Sequence, residues 1–227
     1  MFENAFSLTL PNIIFVLWLN PPNNTKFIYF PLTIRIMWML DGKGDLDTMK
    51  ALVAYGTRYG STTDIANKIG EILKKQGADV DIINLQKERI KDISHYDLII
   101  IGSGIKMGSW TKKALGFLKK FESELAGKRV AFFVSCMSAH HPDKREEASE
   151  KYLLGIARRY PRVKPFKYGL FGGLIDVNRY GAGTRFIMKR FPEEFEKDGI
   201  DVNKTNDFRN WDEIQKWAKE LNISRKK

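Results

Sequence analysis

Cysteine is almost missing from this chain. Among 227 residues only Cys136 carries a thiol, so no intramolecular disulfide, dithiol redox pair or Cys-x-x-Cys metal knuckle can form. That fits a reducing compartment. Histidine is nearly as scarce: His95, His140 and His141 are the full set. The adjacent pair has no further Cys or His at ligand spacing, so no metal is expected. Proton transfer is the better use for one of the two, because imidazole titrates near neutral pH. Internal repeats and low-complexity stretches are lacking. No apolar run reaches the roughly 20 residues of a spanning helix. The longest, Phe27–Leu40, contains Pro31 and Arg35. A secretory leader is not indicated either, since the chain starts Met-Phe-Glu and no Ala-x-Ala follows the first apolar run, Ile13–Leu19.

Acidic residues are also in short supply. Net charge is +11, and beyond residue 48 the balance is 35 basic against 23 acidic side chains, or +12. The excess concentrates in residues 151–190, where ten Lys or Arg meet the single acid Asp176. A surface of this kind suits an anionic substrate or an anionic lipid face. No helix-turn-helix or RNP pattern accompanies the charge, which argues against nucleic acid.

Residues 1–48 differ in texture from the rest, with two apolar runs separated by Asn20-Pro21-Pro22-Asn23-Asn24. Two readings stay open. The segment is a membrane-interface anchor, or translation begins at Met49 (or Met39) and the segment is not native. From Met49 onward, short apolar runs alternate with helical spacing. Strands are predicted at Lys50–Tyr55, Asp79–Leu85, Asp97–Gly102, Arg129–Ser135 and Lys167–Leu174, and helices at Thr62–Gln76, Trp110–Phe121, Glu146–Arg158 and Trp211–Leu221. Such alternation predicts a parallel sheet covered on both faces, with a ligand at the carboxyl ends of its strands.

The loop after the first strand reads Thr57-Arg58-Tyr59-Gly60-Ser61-Thr62 and runs into a helix. A helix N-terminus supplies free N–H groups and a positive dipole end; Gly60 lets the backbone approach, and three hydroxyls add donors. No Lys follows Gly60, which excludes a nucleotide P-loop, and the dinucleotide Gly-x-Gly-x-x-Gly is absent. A capped helix after a turn needs fewer hydroxyls and glycines than this loop has.

This loop resembles the FMN phosphate loop of flavodoxins, with Tyr59 in place of the usual middle threonine. Four further stretches, Y-D-L-I-I-I-G-S-G-I-K-M-G, S-C-M-S-A-H-H-P-D-K-R, G-G-L-I-D-V-N-R-Y-G with R-F-I-M-K-R, and D-F-R-N-W-D-E-I, are similar to one subgroup, the quinone-dependent protoporphyrinogen IX dehydrogenases. The resemblance spans about Lys50 to Leu221. It implies an α/β flavodoxin-like three-layer sandwich with a five-stranded parallel sheet in the order 2-1-3-4-5. Residues 49–227 would form that domain, with an insertion around 139–167.

The resemblance also implies where FMN would lie. Its phosphate would sit on Thr57–Thr62. Its ring would cross Ser103, Gly104, Ile105, Lys106, Met107, Gly108 and Trp110, then Ser135, Cys136 and Met137. Trp110 either stacks on the ring or starts a helix and packs on the core. Cys136, without a partner thiol, is expected to be a packing residue. Catalytic residues beyond the flavin are not assigned.

Flavodoxin carriers are acidic; this chain is basic. Positive potential favours electron uptake by the flavin and draws in a porphyrinogen with its two propionates. The implied function is an FMN-dependent oxidoreductase passing electrons from a small-molecule substrate, protoporphyrinogen, to a quinone. Arg58 and Lys106 are expected near the flavin, with Arg179, Arg185, Lys189 and Arg190 for propionate or membrane contact. The implied location is cytoplasmic, peripheral on the inner face of the cell membrane through residues 151–190. The alternative is an electron carrier between protein partners.

Overall fold

The computed structural model describes the backbone of residues 5–10 and 13–18 and all of residues 48–221. The chain divides into two compact units, Met1–Asp47 and Thr48–Lys227. In the first, β1 (Ala5–Leu10) and β2 (Ile13–Trp18) pair antiparallel, Ala5 opposite Trp18 and Leu10 opposite Ile13. The apolar run Phe27–Leu40, and with it most of the segment read as an anchor or as non-native, lies outside the described residues.

The second unit is built on β3 (Lys50–Gly56), β4 (Asp79–Asn84), β5 (Leu98–Lys106), β7 (Arg129–Ser135) and β8 (Pro165–Phe171). These five lie parallel in the order β4-β3-β5-β7-β8, which is the expected 2-1-3-4-5. A short sixth strand, β6 (Ser109–Trp110), folds back antiparallel on β5. The two-residue turn that allows this is Met107-Gly108, both at positive φ (49° and 72°), as a primed hairpin turn requires.

The central strands are apolar on both sides because helices cover both faces. Alternation decides which side each residue serves. Ala51, Val53, Leu98 and Ile100 pack toward α1 (Ser61–Lys75) and α7 (Trp211–Lys219). Leu52, Ala54, Ile99 and Ile101 face the other layer. That layer holds α2 (Lys112–Leu125), α3 (Pro142–Ser149) and α4 (Gly155–Arg159). Helix α1 presents Ile65, Ile69, Ile72 and Leu73 on one stripe and ends ahead of Gly77, at φ 99°.

Among the boundaries that differ from the sequence reading, three have a clear local reason. The helix expected from Trp110 begins at Lys112, because Trp110 is paired in β6 and Thr111 caps the helix through Ala114 N–H. The helix expected at Glu146–Arg158 starts earlier, at Pro142, and its middle, Glu150–Leu154, is a π turn. The fifth strand stops at Phe171; after Gly172-Gly173 the chain forms β9 (Leu174–Ile175), which pairs antiparallel with β10 (Asn206–Asp207).

Between β9 and β10 lie a 3-10 turn at Val177–Arg179, α5 (Ala182–Arg190) and α6 (Pro192–Glu196). They gather around a separate small core of Ile175, Val177, Met188, Ile200 and Val202. Asn206, buried, closes it by bonding Asp201 N–H (2.9 Å) and the carbonyls of Asp201 (2.8 Å) and Lys204 (3.0 Å).

Candidate functional site

The carboxyl ends of β3, β5 and β7 open on a cleft that is open to solvent. Its floor is the turn from β3 into α1. Thr57 Oγ1 accepts the Gly60 N–H at 3.0 Å, which closes the turn. Gly60 then takes a left-handed conformation, φ 95°, that costs a side-chain residue strain. A Cβ there would also stand 3.0 Å from Arg179 Nη1. Helix α1 starts at Ser61 with no side-chain cap on its end, and its first residues, Ser61 and Thr62, line the cleft, which puts its positive terminus there.

Thr62 is fully buried, and its Oγ1 has no hydrogen-bond partner among the described residues. A buried hydroxyl left unpaired costs about 1–3 kcal/mol. A Cβ on Gly104 would come within 2.9 Å of this oxygen, so glycine at 104 keeps the space above it clear. Ser61 Oγ stands 3.5 Å from Ser135 Oγ, and Ser135 donates to the Gly172 carbonyl at 3.2 Å.

The second wall is Gly104, Ile105 and Lys106; the third is Ser135, Cys136 and Met137. Burial pushes the Cys136 thiol up to about 11, against the N–H groups of Ala139 and Ser138 and the charge of Arg145. It is therefore a neutral packing group at physiological pH. The fourth wall is Gly173, Leu174, Ile175 and Tyr180. The sequence reading gave these residues no role. Their signal in the sequence is the Gly-Gly-Leu-Ile-Asp-Val-Asn-Arg-Tyr-Gly stretch. Thr111 also lines the cleft and was missed; its N–H is held by Ser103 Oγ at 2.9 Å.

Not every expected residue reaches the cleft. Ser103 is fully buried beneath it, bonding the Gly104 carbonyl. Met107 and Gly108 form the exposed hairpin turn. Trp110 is buried against Phe132, and its indole N–H donates to the Tyr152 carbonyl at 2.7 Å, which is the core-packing alternative. His140 stacks on Phe208 and His141 lies 3.8 Å from Asp198 Oδ1; neither lines the cleft. No cluster able to hold a metal ion exists among the described residues.

Charge collects at the mouth around Tyr59. Its ring stacks on Tyr180 with centroids 4.3 Å apart. Arg58 and Lys106 lie 5.7 and 6.0 Å from the ring centroid, and Arg179 donates to the Tyr59 carbonyl at 3.2 Å. Arg179 is braced in turn by Asp176. Burial raises the Tyr180 phenol above its ordinary value, and Tyr59 and Asp176 add to the effect. Arg179 reaches the cleft only through Tyr59 and does not line it, and neither do Arg185, Lys189 and Arg190, which are on α5.

A helix terminus without a cap, a buried unpaired hydroxyl and a glycine that leaves space above it fit a phosphate. Residues 52–199 match the family described as Flavodoxin domain. The chain belongs to that family. Among curated proteins it is 26% identical over 176 residues to the Protoporphyrinogen IX dehydrogenase [quinone] of Escherichia coli (strain K12), covering 76% of this chain and 94% of that one. It is 29% identical over 116 residues to the NAD(P)H dehydrogenase (quinone) of Methylocella silvestris, covering 40% and 58%. Among solved structures, oxidised Flavodoxin 1 from Bacillus cereus aligns with a TM-score of 0.44 at 22% identity, covering 65% of this chain and 97% of that one. The flavodoxin-like sandwich expected from the sequence is the fold observed, and the residues of the cleft fit FMN.

Proposed function

We propose that this flavodoxin-family chain is an FMN-dependent oxidoreductase that takes electrons from protoporphyrinogen and delivers them to a quinone. The coarser part, a quinone-linked oxidoreductase, is what the curated relatives have in common by name. The observation that carries the finer part is the cationic rim of Arg58, Lys106 and Arg179 around Tyr59. A porphyrinogen is a flat apolar ring with two carboxylates; it suits an aromatic surface edged by guanidinium and ammonium groups.

In this reading Thr57, Ser61, Thr62 and the α1 terminus hold the FMN phosphate. Ile105, Met137 and Leu174 give apolar wall to the ring, which excludes water beside it. Bound FMN supplies two-electron acceptance and release. Lys106 and Arg58 place positive charge where electrons arrive, favouring uptake. Arg179, braced by Asp176, keeps the Tyr59 backbone in place and presents its free face to a propionate. Residues 49–227, with the insertion 139–167, carry the function, and residues 1–48 are an extension outside it. The site of action is the cytoplasm, peripheral to the inner face of the cell membrane. Among the described residues no helix is long and apolar enough to cross a membrane.

Anaerobic mixing with protoporphyrinogen should bleach the yellow protein, and a menaquinone analogue should restore the colour. Absence of bleaching, with quinone reduction by a chemical reductant intact, overturns the substrate assignment. A very low potential with efficient transfer to a protein acceptor would mark an electron carrier instead.

A further inference from the structure

Reducing a quinone takes two electrons and two protons, so a quinone-linked cleft needs a proton donor. Histidine is the residue the sequence offers for that work, yet His140 and His141 lie outside the cleft. Among the described residues that line it there is no Asp, Glu or His. Few other donors remain. Thr57, Ser61, Thr111 and Ser135 carry aliphatic hydroxyls, which do not ionise in the range where proteins work. Cys136 is 7% exposed, and its sulfur is taken by the N–H groups of Ala139 and Ser138. Arg58 stays charged at any working pH. Lys106 would give up a proton only by surrendering the positive charge that favours electron arrival. That leaves two phenols, Tyr59 and Tyr180.

Their settings differ. Tyr59 belongs to the turn from β3 into α1, with Arg58 and Lys106 at 5.7 and 6.0 Å from its ring centroid. Tyr180 belongs to the wall that also presents Leu174 and Ile175. It is held in place from several sides. Its N–H donates to the Val177 carbonyl at 3.2 Å, its ring stacks on Tyr59, and the preceding Arg179 donates to the Tyr59 carbonyl at 3.2 Å. The residue is half-buried, and its hydroxyl makes no hydrogen bond among the described residues. Tyr96 and Tyr160, by contrast, donate theirs to Asp81 and to the Leu115 carbonyl. A fixed phenol on a largely apolar wall, with its hydroxyl uncommitted, is a donor in need of an acceptor.

We infer that the Tyr180 hydroxyl is the catalytic proton donor to the quinone, bonding one carbonyl oxygen and protonating it as the electrons arrive. The inference rests on the quinone-linked redox reading given above. The quinone takes an electron pair and one proton from anionic reduced FMN, leaving oxidised FMN. One oxygen of the quinone is then a phenolate. It takes the Tyr180 proton to complete the hydroquinone, and water at the open mouth reprotonates the tyrosinate. Donor and acceptor are both phenols, so the transfer is close to balanced. Burial raises the Tyr180 phenol, with Tyr59 and Asp176 adding to the effect, so the proton is present through the neutral range. Arg179 beside it, and Arg58 and Lys106 around Tyr59, favour the transient tyrosinate; Asp176, paired with Arg179 at 3.2 Å, opposes it.

The test compares Tyr180→Phe with the parent, both loaded with FMN. Phenylalanine keeps the stack, so FMN affinity and the flavin midpoint potential should match. Binding of 1,4-naphthoquinone to the oxidised protein, read from flavin absorbance, should weaken about two- to ten-fold with the loss of one hydrogen bond. Naphthalene, which has no oxygen, should bind both proteins equally. After anaerobic reduction with stoichiometric dithionite, stopped-flow reoxidation by the quinone should be about 100-fold slower in the variant. The parent rate should be level from about pH 6 to 9 and slower in deuterium oxide. The variant rate should fall as pH rises, because solvent is then the donor. A parent that the quinone does not reoxidise sinks the redox reading and this step with it. A parent that is reoxidised while Tyr180→Phe matches it in rate, pH profile and naphthoquinone binding overturns the proton assignment alone. So does a pH slope that appears in Tyr59→Phe or Lys106→Met but not in Tyr180→Phe.

Discussion

Tyr59 and Tyr180 stack with ring centroids 4.3 Å apart and planes tilted by 38°, joining the turn from β3 into α1 to a wall that follows β9. Aromatic pairs of this kind contribute about 0.5–1.5 kcal/mol beyond the area they bury. Tyr180→Ala should therefore weaken FMN binding by roughly three- to ten-fold, read by quenching of flavin fluorescence on titration into apoprotein. Tyr180→Phe keeps the stack and should leave the affinity unchanged. Equal loss in both variants would show that the phenol, not the ring, matters.

Thr62→Val has opposite expected effects on the two forms of the protein. In the apoprotein it removes a buried, unpaired hydroxyl, so the midpoint of urea unfolding should rise, by about 1 kcal/mol of stability. In the proposed site it would remove a donor to the FMN phosphate, and a hydrogen bond to a charged group is worth roughly 1.5–3 kcal/mol, so Kd should rise at least ten-fold. A variant that is neutral in both measurements would remove Thr62 from the phosphate site.

Arg209 is the strap behind that loop. Its side chain, only 5% exposed, reaches Asp64 on α1 at 2.7 Å and Asp207 at 2.6 Å, and it lies over the Trp211 ring. Burial works against its charge, but the two carboxylates more than offset this and hold its pKa up. The hydrogen bond from Arg209 holds Asp207 below its ordinary value of 3.8, against the opposing effect of burial. A depressed carboxylate stabilises the fold above its unfolded pKa, and that contribution is lost as pH falls through the folded value. Arg209→Met should cost about 1–3 kcal/mol at neutral pH, and the gap to the parent should narrow near pH 3, measured by urea unfolding at both.

On the alkaline side several groups act in one direction. Burial raises the Cys136 thiol from 9.0 to about 11, and burial raises Tyr96, Tyr168 and Tyr180 as well. Each stays protonated in the folded chain at a pH where the unfolded chain has released its proton. Stability should be full below about pH 9 and fall as pH climbs beyond it. Denaturant unfolding across that interval checks the slope, and Cys136→Ala should flatten it between pH 9 and 11.

The sheet was legible because its strands are unbroken apolar runs. Ala51–Tyr55, Leu98–Ile101 and Val130–Val134 have no other stable use than burial on both faces. The turn from β3 into α1 was legible because Gly60 and the hydroxyls around it follow such a strand directly. The fourth wall was not. Its small core is assembled from Ile175 and Val177, Met188, and Ile200 and Val202, three short contributions more than ten residues apart, so no single window shows a sustained period. Trp110 was ambiguous for a related reason: an aromatic beside a flavin loop reads alike whether it faces the ring or the core. The hairpin that turns it inward depends on Met107 accepting a left-handed conformation, which residue type does not announce.

That small core has a kinetic meaning. Five side chains hold β9, β10, α5 and the Tyr180 wall together, while the sheet is secured by two far larger clusters. Segments with few buried contacts open at low free energy, independently of the rest. Amide hydrogen exchange in residues 174–207 should accordingly be fast and uniform as one unit, well ahead of β3 and β5. The ligand would then enter and leave by breathing of this flap rather than by motion of the sheet.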